Sequence, residues 1–503
     1  MEQRTIAPRV IGHWHAGGGW DGTGERYGDV TDPATGEVTA RVRFATGGDV
    51  EVVVRAADAA AKEWAAASVT RRTNALFGFR QALVRRREEI AEAITAEHGK
   101  VLDDALGEVQ RGLEVAEFAC GAPHLLKGAF SDEVSGGVDV HSLRQPLGVV
   151  AVISPFNFPA MVPLWFVPVA IAAGNAVILK PSEKDPSASL LLSECWAEAG
   201  LPDGVFNVVQ GDKEAVDGLL THERVKAVSF VGSTPIARYV YETATAHGKR
   251  VQALGGAKNH MVVLPDADLD AAADAAVNAG FGSAGERCMA ISVLVAVDPV
   301  GDRLVPMIAE RMAGLRTGDG RKGCDMGPLV TLAHRDKVAS YLDSGQAAGA
   351  ELVVDGREVV PEGAAEGFWL GPSLFDKVQP GNPAYDDEIF GPVLSVVRVA
   401  SYDEALELVN RNPYGNGTAI FTRDGGAARR YQREVEVGMV GVNVPIPVPM
   451  AYYSFGGWKA SLFGDAHAHG TEGVHFFTRG KVVTSRWPDP GTGGIDLGFP
   501  QHD

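Results

Sequence analysis

One cysteine has the surroundings of a nucleophile. In GSAGERCMA, Gly282 and Gly285 leave the backbone free to approach a ligand, and Cys288 follows in a loop just before the apolar run Ile291 to Val297. A thiolate there can attack an electrophilic carbon and hold it covalently, although a lone cysteine is more often a small buried hydrophobe. Two other segments suggest binding. In VSFVGSTPIARY a strand, then Gly232-Ser233, then a helix from about Thr234 follow one another, an order that aims helix N-terminal N–H groups at a phosphate. The segment lacks the full G-x-G-x-x-G fingerprint, and a Gly-Ser turn between strand and helix is usually only a turn. In ILKPSE, Pro181 follows a strand ending at Lys180, which leaves Lys180 and Glu183 at a strand's carboxyl end, where open α/β sheets bind ligands. The carboxylate can accept from a ribose diol, and the lysine can hold an adjacent hydroxyl or phosphate.

The elements around these residues alternate. Val149 to Ile153, Ala176 to Lys180, Phe206 to Gln210 and Ala227 to Val231 read as strands, with helices over Ser187 to Ala199 and Thr234 to Ala246. That is the grammar of a parallel sheet covered on both faces. A second α/β unit is expected from the strands Val262 to Leu264 and Ile291 to Val297, with the helix Leu269 to Ala279 between them. Val53, Ala56, Ala57, Ala60, Ala61 and Trp64 fall at helical spacing and give an N-terminal helix one apolar face. Phe158 to Leu179 carries no charge over a length that could span a bilayer, but Pro159, Pro163 and Pro168 interrupt it. A buried helix and strand are expected there instead.

The whole chain narrows the function classes. Its 503 residues exceed one ordinary domain, and 45% hydrophobic with 22% charged residues fits a soluble globular protein. A net charge of -18 disfavours nucleic acid as a partner, because such binding draws on clustered Lys and Arg. Cys120, Cys195, Cys288 and Cys324 are far apart and make no metal-ligand spacing, so no metal is expected. Few cysteines and no apolar leader suggest a cytoplasmic protein with no membrane partner.

SPFNFP, ILKPSE, SFVGSTPIA, LGGAKNHMVV, GERC, EIFGPV and GVNVPIP occur in that order, and with them the chain resembles the aldehyde dehydrogenase superfamily from about residue 10 to residue 487. The resemblance implies an α/β fold with a Rossmann-type NAD-binding domain (1–128 and 147–254), an α/β catalytic domain (255–471), a small β oligomerisation arm (129–146 and 472–490) and a tail (491–503). It implies dimers or tetramers. It also implies that Cys288 attacks an aldehyde carbon while Asn157 and the Cys288 N–H form the oxyanion hole. Phe156, Lys180, Glu183, Gly232, Ser233, Glu388 and Phe390 would surround NAD, with Glu183 favouring NAD over NADP.

One departure from the common pattern shapes the expected reaction. Water-using members carry a glutamate base just before Leu-Gly-Gly, and Ala253 stands there in VQALGG. A methyl group takes no proton, so a thiol acceptor, coenzyme A, is expected to clear the thioester instead. RGLEVAEFAC, QALGGAKNH, AGERCMAIS and FFTRGKVVTSRW resemble the coenzyme A-acylating methylmalonate-semialdehyde dehydrogenases. This branch implies a substrate carboxylate, for which Arg111 and Arg287 are the candidates, and a decarboxylation that yields propionyl- or acetyl-coenzyme A. Two alternatives are a hydrolytic enzyme with Glu286 or Glu388 as displaced base, and a catalytically silent scaffold.

Overall fold

In this computed structural model, which describes residues 8–361, 366–487 and 491, the strand Val149–Ile153 is buried along its whole length. It lies at the middle of an eight-stranded sheet in the order Leu462–Phe463, Arg250–Leu254, Val225–Val231, Val149–Ile153, Ala176–Lys180, Phe206–Val208, His13–His15, Gly18–Trp20. The five central strands are parallel and the edges antiparallel. Because both faces are covered, successive residues enter different cores. Val150 and Val152 join the cluster around Trp165 and Phe166, whereas Val149, Ala151 and Ile153 join the one around Val53, Leu219 and Val240.

From Val149–Ile153 the chain steps to one side, through Ala176–Lys180 to Phe206–Val208, and then crosses to the other side for Val225–Val231 and Arg250–Leu254. The strand order therefore reverses beside Val149–Ile153, and the loops after Ile153, Lys180 and Val231 border the crevice where such sheets bind ligands.

A second sheet runs Glu351–Val354, Ser373–Asp376, Val393–Val399, Ile291–Val297, Asn259–Val263, Gly417–Phe421, Met439–Val442, parallel except at the first strand. It has its own core. A three-stranded antiparallel sheet joins Phe130–Ser135 and Val138–Pro146 to Thr478–Arg486. The chain also crosses back late: Leu462–Phe463, within the stretch expected to belong to the catalytic domain, pairs with Arg250–Leu254 of the first sheet. Residues 488–490 of the expected arm and all of the expected tail except Gly491 lie outside the described residues.

The apolar stretch around Phe158 to Leu179 folds as the twelve-residue helix Met161–Ala172 and the strand Ala176–Lys180. Among the described residues no helix is long and apolar enough to cross a membrane. The N-terminal helix Gly47–Ala66 begins at a reciprocal cap in which the Thr46 side chain accepts from the Asp49 N–H and Asp49 accepts from the Thr46 N–H. It buries Val53, Ala57, Ala61 and Trp64.

Candidate active site

Cys288 follows a backbone that only an unusual local path can supply. Ser283, Ala284 and Gly285 all have positive φ (53°, 51° and 74°), and a Cβ on Gly285 would sit 2.2 Å from the Gly391 carbonyl oxygen. The turn thus presses the thiol loop against the Glu388–Phe390 segment, where Phe390 is itself held at φ 58°. Two asparagines fix the loop from below. Asn259 Nδ2 and Asn416 Nδ2 both donate to the Cys288 carbonyl, at 2.9 and 3.1 Å. Burial and the nearby Glu388 carboxyl push the Cys288 thiol up to about 12, against partial relief from the N–H groups of Cys288 and Met289 and from Arg287. The resting group is therefore a neutral thiol that must lose its proton to react.

A cleft of about 590 Å³ opens at the switch point and brings together Cys288, Asn157, Phe156, Lys180, Glu183, Gly232, Ser233, Glu388 and Phe390. Asn157 is buried; its Nδ2 donates to the Glu286 carbonyl at 3.0 Å, which leaves its second amide proton for the cleft. Glu183 lies 3.3 Å from Lys180 Nζ, and although burial raises its carboxyl, Lys180, its own N–H and Lys184 hold it below the usual carboxylate range. Glu388 accepts from the Ala257 N–H at 2.8 Å, and burial pushes it up to about 7 despite that bond and Lys258. A Cβ on Gly256 would meet Glu388 Oε2 at 2.2 Å, so only glycine leaves that carboxyl room.

This donor set can hold a dinucleotide. Gly232 and Ser233 stand at the N-terminus of the thirteen-residue helix Thr234–Ala246, Glu183 and Lys180 can take a ribose, and Glu388 can take a second ribose next to Cys288. Lys184, His334, Lys337 and Tyr239 also line the cleft, and nothing in their local sequence singled them out. Lys184 Nζ lies 4.5 Å over the Phe156 ring, and His334 Nε2 donates to the Phe390 carbonyl at 2.7 Å.

Three expected site positions take these places. Ala253 is fully buried, with Phe230 and Phe463 as in-register neighbours, and packs in the core around Val53, whereas Leu254 packs in the one around Trp165. Neither side chain can take a proton. Arg287 is outside the lining of this cleft but lines a small pocket beside Cys288 and Glu388, and it pairs with Asp104 at 2.5 Å. Arg111 also lies outside the cleft lining, paired with Glu114 at 2.8 Å and donating to the carbonyls of Val448 and Pro449.

Glu286 is not among the residues that line the cleft. Its buried carboxyl lies 3.9 Å from His98 and 3.6 Å from His334, and burial pushes it up to about 8. Only its main-chain carbonyl turns toward Asn157. Among the described residues no cluster of side chains suited to a metal ion occurs, and Cys120, Cys195 and Cys288 are free thiols.

The model of the aldehyde dehydrogenase family matches residues 20–483. A malonate-semialdehyde dehydrogenase of Pseudomonas aeruginosa is 57% identical over 92% of this chain and 94% of its own length. A malonate-semialdehyde dehydrogenase of Geobacillus thermodenitrificans is 48% identical over 94% and 98%. Among solved structures, the methylmalonate-semialdehyde dehydrogenase of Oceanimonas doudoroffii superposes with a TM-score of 0.94 at 52% identity, over 96% of this chain and 99% of that one. A Sinorhizobium meliloti protein assigned to the same activity, solved with NAD, gives 0.95 at 52%, over 97% and 99%. Matched by the family model over most of its length and by relatives as much as 57% identical, this chain belongs to the aldehyde dehydrogenase family.

Proposed function

We propose that the protein oxidises malonate semialdehyde and methylmalonate semialdehyde with NAD and passes the acyl group to coenzyme A, with loss of carbon dioxide. The names of its relatives support the substrate class, and the NAD-bound Sinorhizobium structure supports the cofactor. The observation that carries the acyl transfer is the apolar pair Ala253-Leu254, both buried, which offers no proton acceptor just before Gly255-Gly256. The carboxyl groups lining the cleft are Glu183, Asp212 and Glu388. Glu183 is drawn to Lys180, Asp212 to Arg26, and Glu388 to the Ala257 N–H. None is placed as a dedicated base for water.

The steps follow from the side chains. Cys288 loses its proton and attacks the aldehyde carbon. The developing alkoxide takes hydrogen bonds from the Asn157 amide and the Cys288 N–H. NAD, when bound, supplies the hydride acceptor, and Lys180, Glu183, Gly232, Ser233 and Glu388 would hold it, with Phe156 and Phe390 walling the cleft. Oxidation leaves an acyl thioester on Cys288. When carbon dioxide departs from the β-position, the electron pair of the broken bond flows into the thioester carbonyl, and the same two donors stabilise the enolate until its α-carbon takes up a proton from solvent. A thiolate of coenzyme A then attacks the thioester carbonyl, takes the acyl group in a nearly balanced exchange and releases the Cys288 thiolate. Arg287 and Arg111 would serve the substrate carboxylate by exchanging Asp104 and Glu114 for it.

So few cysteines, with Cys120, Cys195 and Cys288 as free thiols, fit a cytoplasmic setting, and exposed Phe130, Val134 and Val482 on the three-stranded sheet, with Trp487 just past its last strand, support assembly into homodimers or homotetramers. Product analysis tests the reaction. With malonate semialdehyde, NAD and coenzyme A, each NADH formed should be matched by one acetyl-coenzyme A. A free acid formed as fast without coenzyme A would favour the hydrolytic alternative.

A further inference from the structure

The loop that carries Phe156 and Asn157, residues 154–160, has neither helical nor strand pairing to set its path. Two charged side chains from a distant corner of the fold grip it instead. The helix Arg87–His98 ends at Gly99 in the left-handed region (φ 92°), and the chain turns inward at Lys100 before the helix Leu102–Ala119, which carries Glu108. Lys100 Nζ donates to the Asn157 main-chain carbonyl at 2.6 Å and to Glu108 Oε2 at 2.8 Å, and lies 4.3 Å over the Phe158 ring. Glu108 Oε1 accepts from the N–H groups of Ala160 and Met161, at 2.8 and 3.0 Å, where the helix Met161–Ala172 begins. Both side chains are fully buried.

A buried ion pair is poor evidence for stability, because apolar residues of similar volume often serve a core as well or better. Here every bond outside the pair goes to a main-chain group of one loop. The lysine fixes the peptide plane after Asn157, the carboxylate fixes those before Ala160 and Met161, and between them they limit rotation of the segment that aims the Asn157 side chain. That side chain bridges to the Glu286 carbonyl, two residues before the thiol.

We infer that Lys100 and Glu108 are positioning residues for the oxyanion hole, acting on turnover through the main chain of Asn157. This rests on the reading of Asn157 as an oxyanion donor.

A double-mutant cycle in the full-length protein tests it, read as the single-turnover rate of NADH formation at saturating NAD and semialdehyde, with NAD affinity measured separately. Lys100→Met should slow NADH formation about tenfold or more while shifting the NAD dissociation constant less than about twofold. In the Asn157→Ala background the same change should slow the reaction less than about twofold, because the group it positions is gone. If Lys100→Met fails to fold, Lys100→Met with Glu108→Gln takes its place, since the Gln Oε1 still accepts from Ala160 and Met161. Equal slowing in both backgrounds, or no slowing in either, overturns the inference. If Asn157→Ala slows the reaction and Lys100→Met does not, only the positioning role falls. If Asn157→Ala itself leaves the rate unchanged, the oxyanion reading falls and takes the positioning role with it.

Discussion

Cys288→Ala should abolish NADH formation and leave NAD binding nearly intact. The thiol supplies the only bond from the chain to the substrate carbon, so its loss removes the covalent route and should lower turnover by roughly 10⁴-fold or more. NAD affinity should move little, because the groups suited to the two riboses and the pyrophosphate, Glu183, Lys180, Ser233 and Glu388, are spread along the cleft away from the sulfur. Stability should also hold, since Cys288 is only half-buried and its loop is fixed through the main-chain bonds of Asn259 and Asn416. Stopped-flow absorbance of NADH and equilibrium binding of NAD check the two halves. Turnover above background in the variant would remove Cys288 from the mechanism.

Asn157→Ala should lower the rate of NADH formation by about 100- to 1000-fold, with a much smaller change in the KM for the semialdehyde. The asymmetry follows from when the hydrogen bond matters. A neutral aldehyde oxygen asks little of the amide, whereas the tetrahedral adduct places a full charge where the amide points. The variant also loses the bridge to the Glu286 carbonyl. Side-chain volume is not the cause, so Asn157→Leu should be as slow as Asn157→Ala. Steady-state kinetics at saturating NAD measure both constants; a loss confined to KM would assign Asn157 to substrate binding alone.

Much of both sheets was legible. The strands Val149–Ile153, Ala176–Lys180 and Ile291–Val297 and the helix Thr234–Ala246 begin and end where apolar runs, glycines and prolines place them. The strand Asn259–Val263 starts earlier than its apolar core suggests, because Asn259 and His260 are polar yet buried, with Asn259 bonded to the thiol loop. That contact joins residues 29 apart and leaves no local signal.

One point of VQALGG is left to the structure. In a strand buried on both faces, alternation of polar and apolar residues is absent, so the segment does not show which core Ala253 and Leu254 each enter. Packing puts Ala253 in the core around Val53 and Leu254 in the one around Trp165. The partners of the arginines were hidden for another reason. Asp104, Arg111 and Glu114 share one helix, but the turn that brings Arg287 to Asp104 is a tertiary fact. Nothing in the local sequence marks Lys100 and Glu108 as buried, and the arrival of residues 157–161 explains their burial.

Rapid mixing of the protein with saturating NAD and malonate semialdehyde in the absence of any thiol tests the central claim, that no residue on the thiol's side of the cleft activates water for the Cys288 thioester. A burst of NADH approaching one equivalent per active site, then a slow phase that coenzyme A accelerates sharply, is the expected result. Burst-free, rapid turnover to a free acid, unchanged by coenzyme A, would contradict it and return Glu388 to consideration as a base.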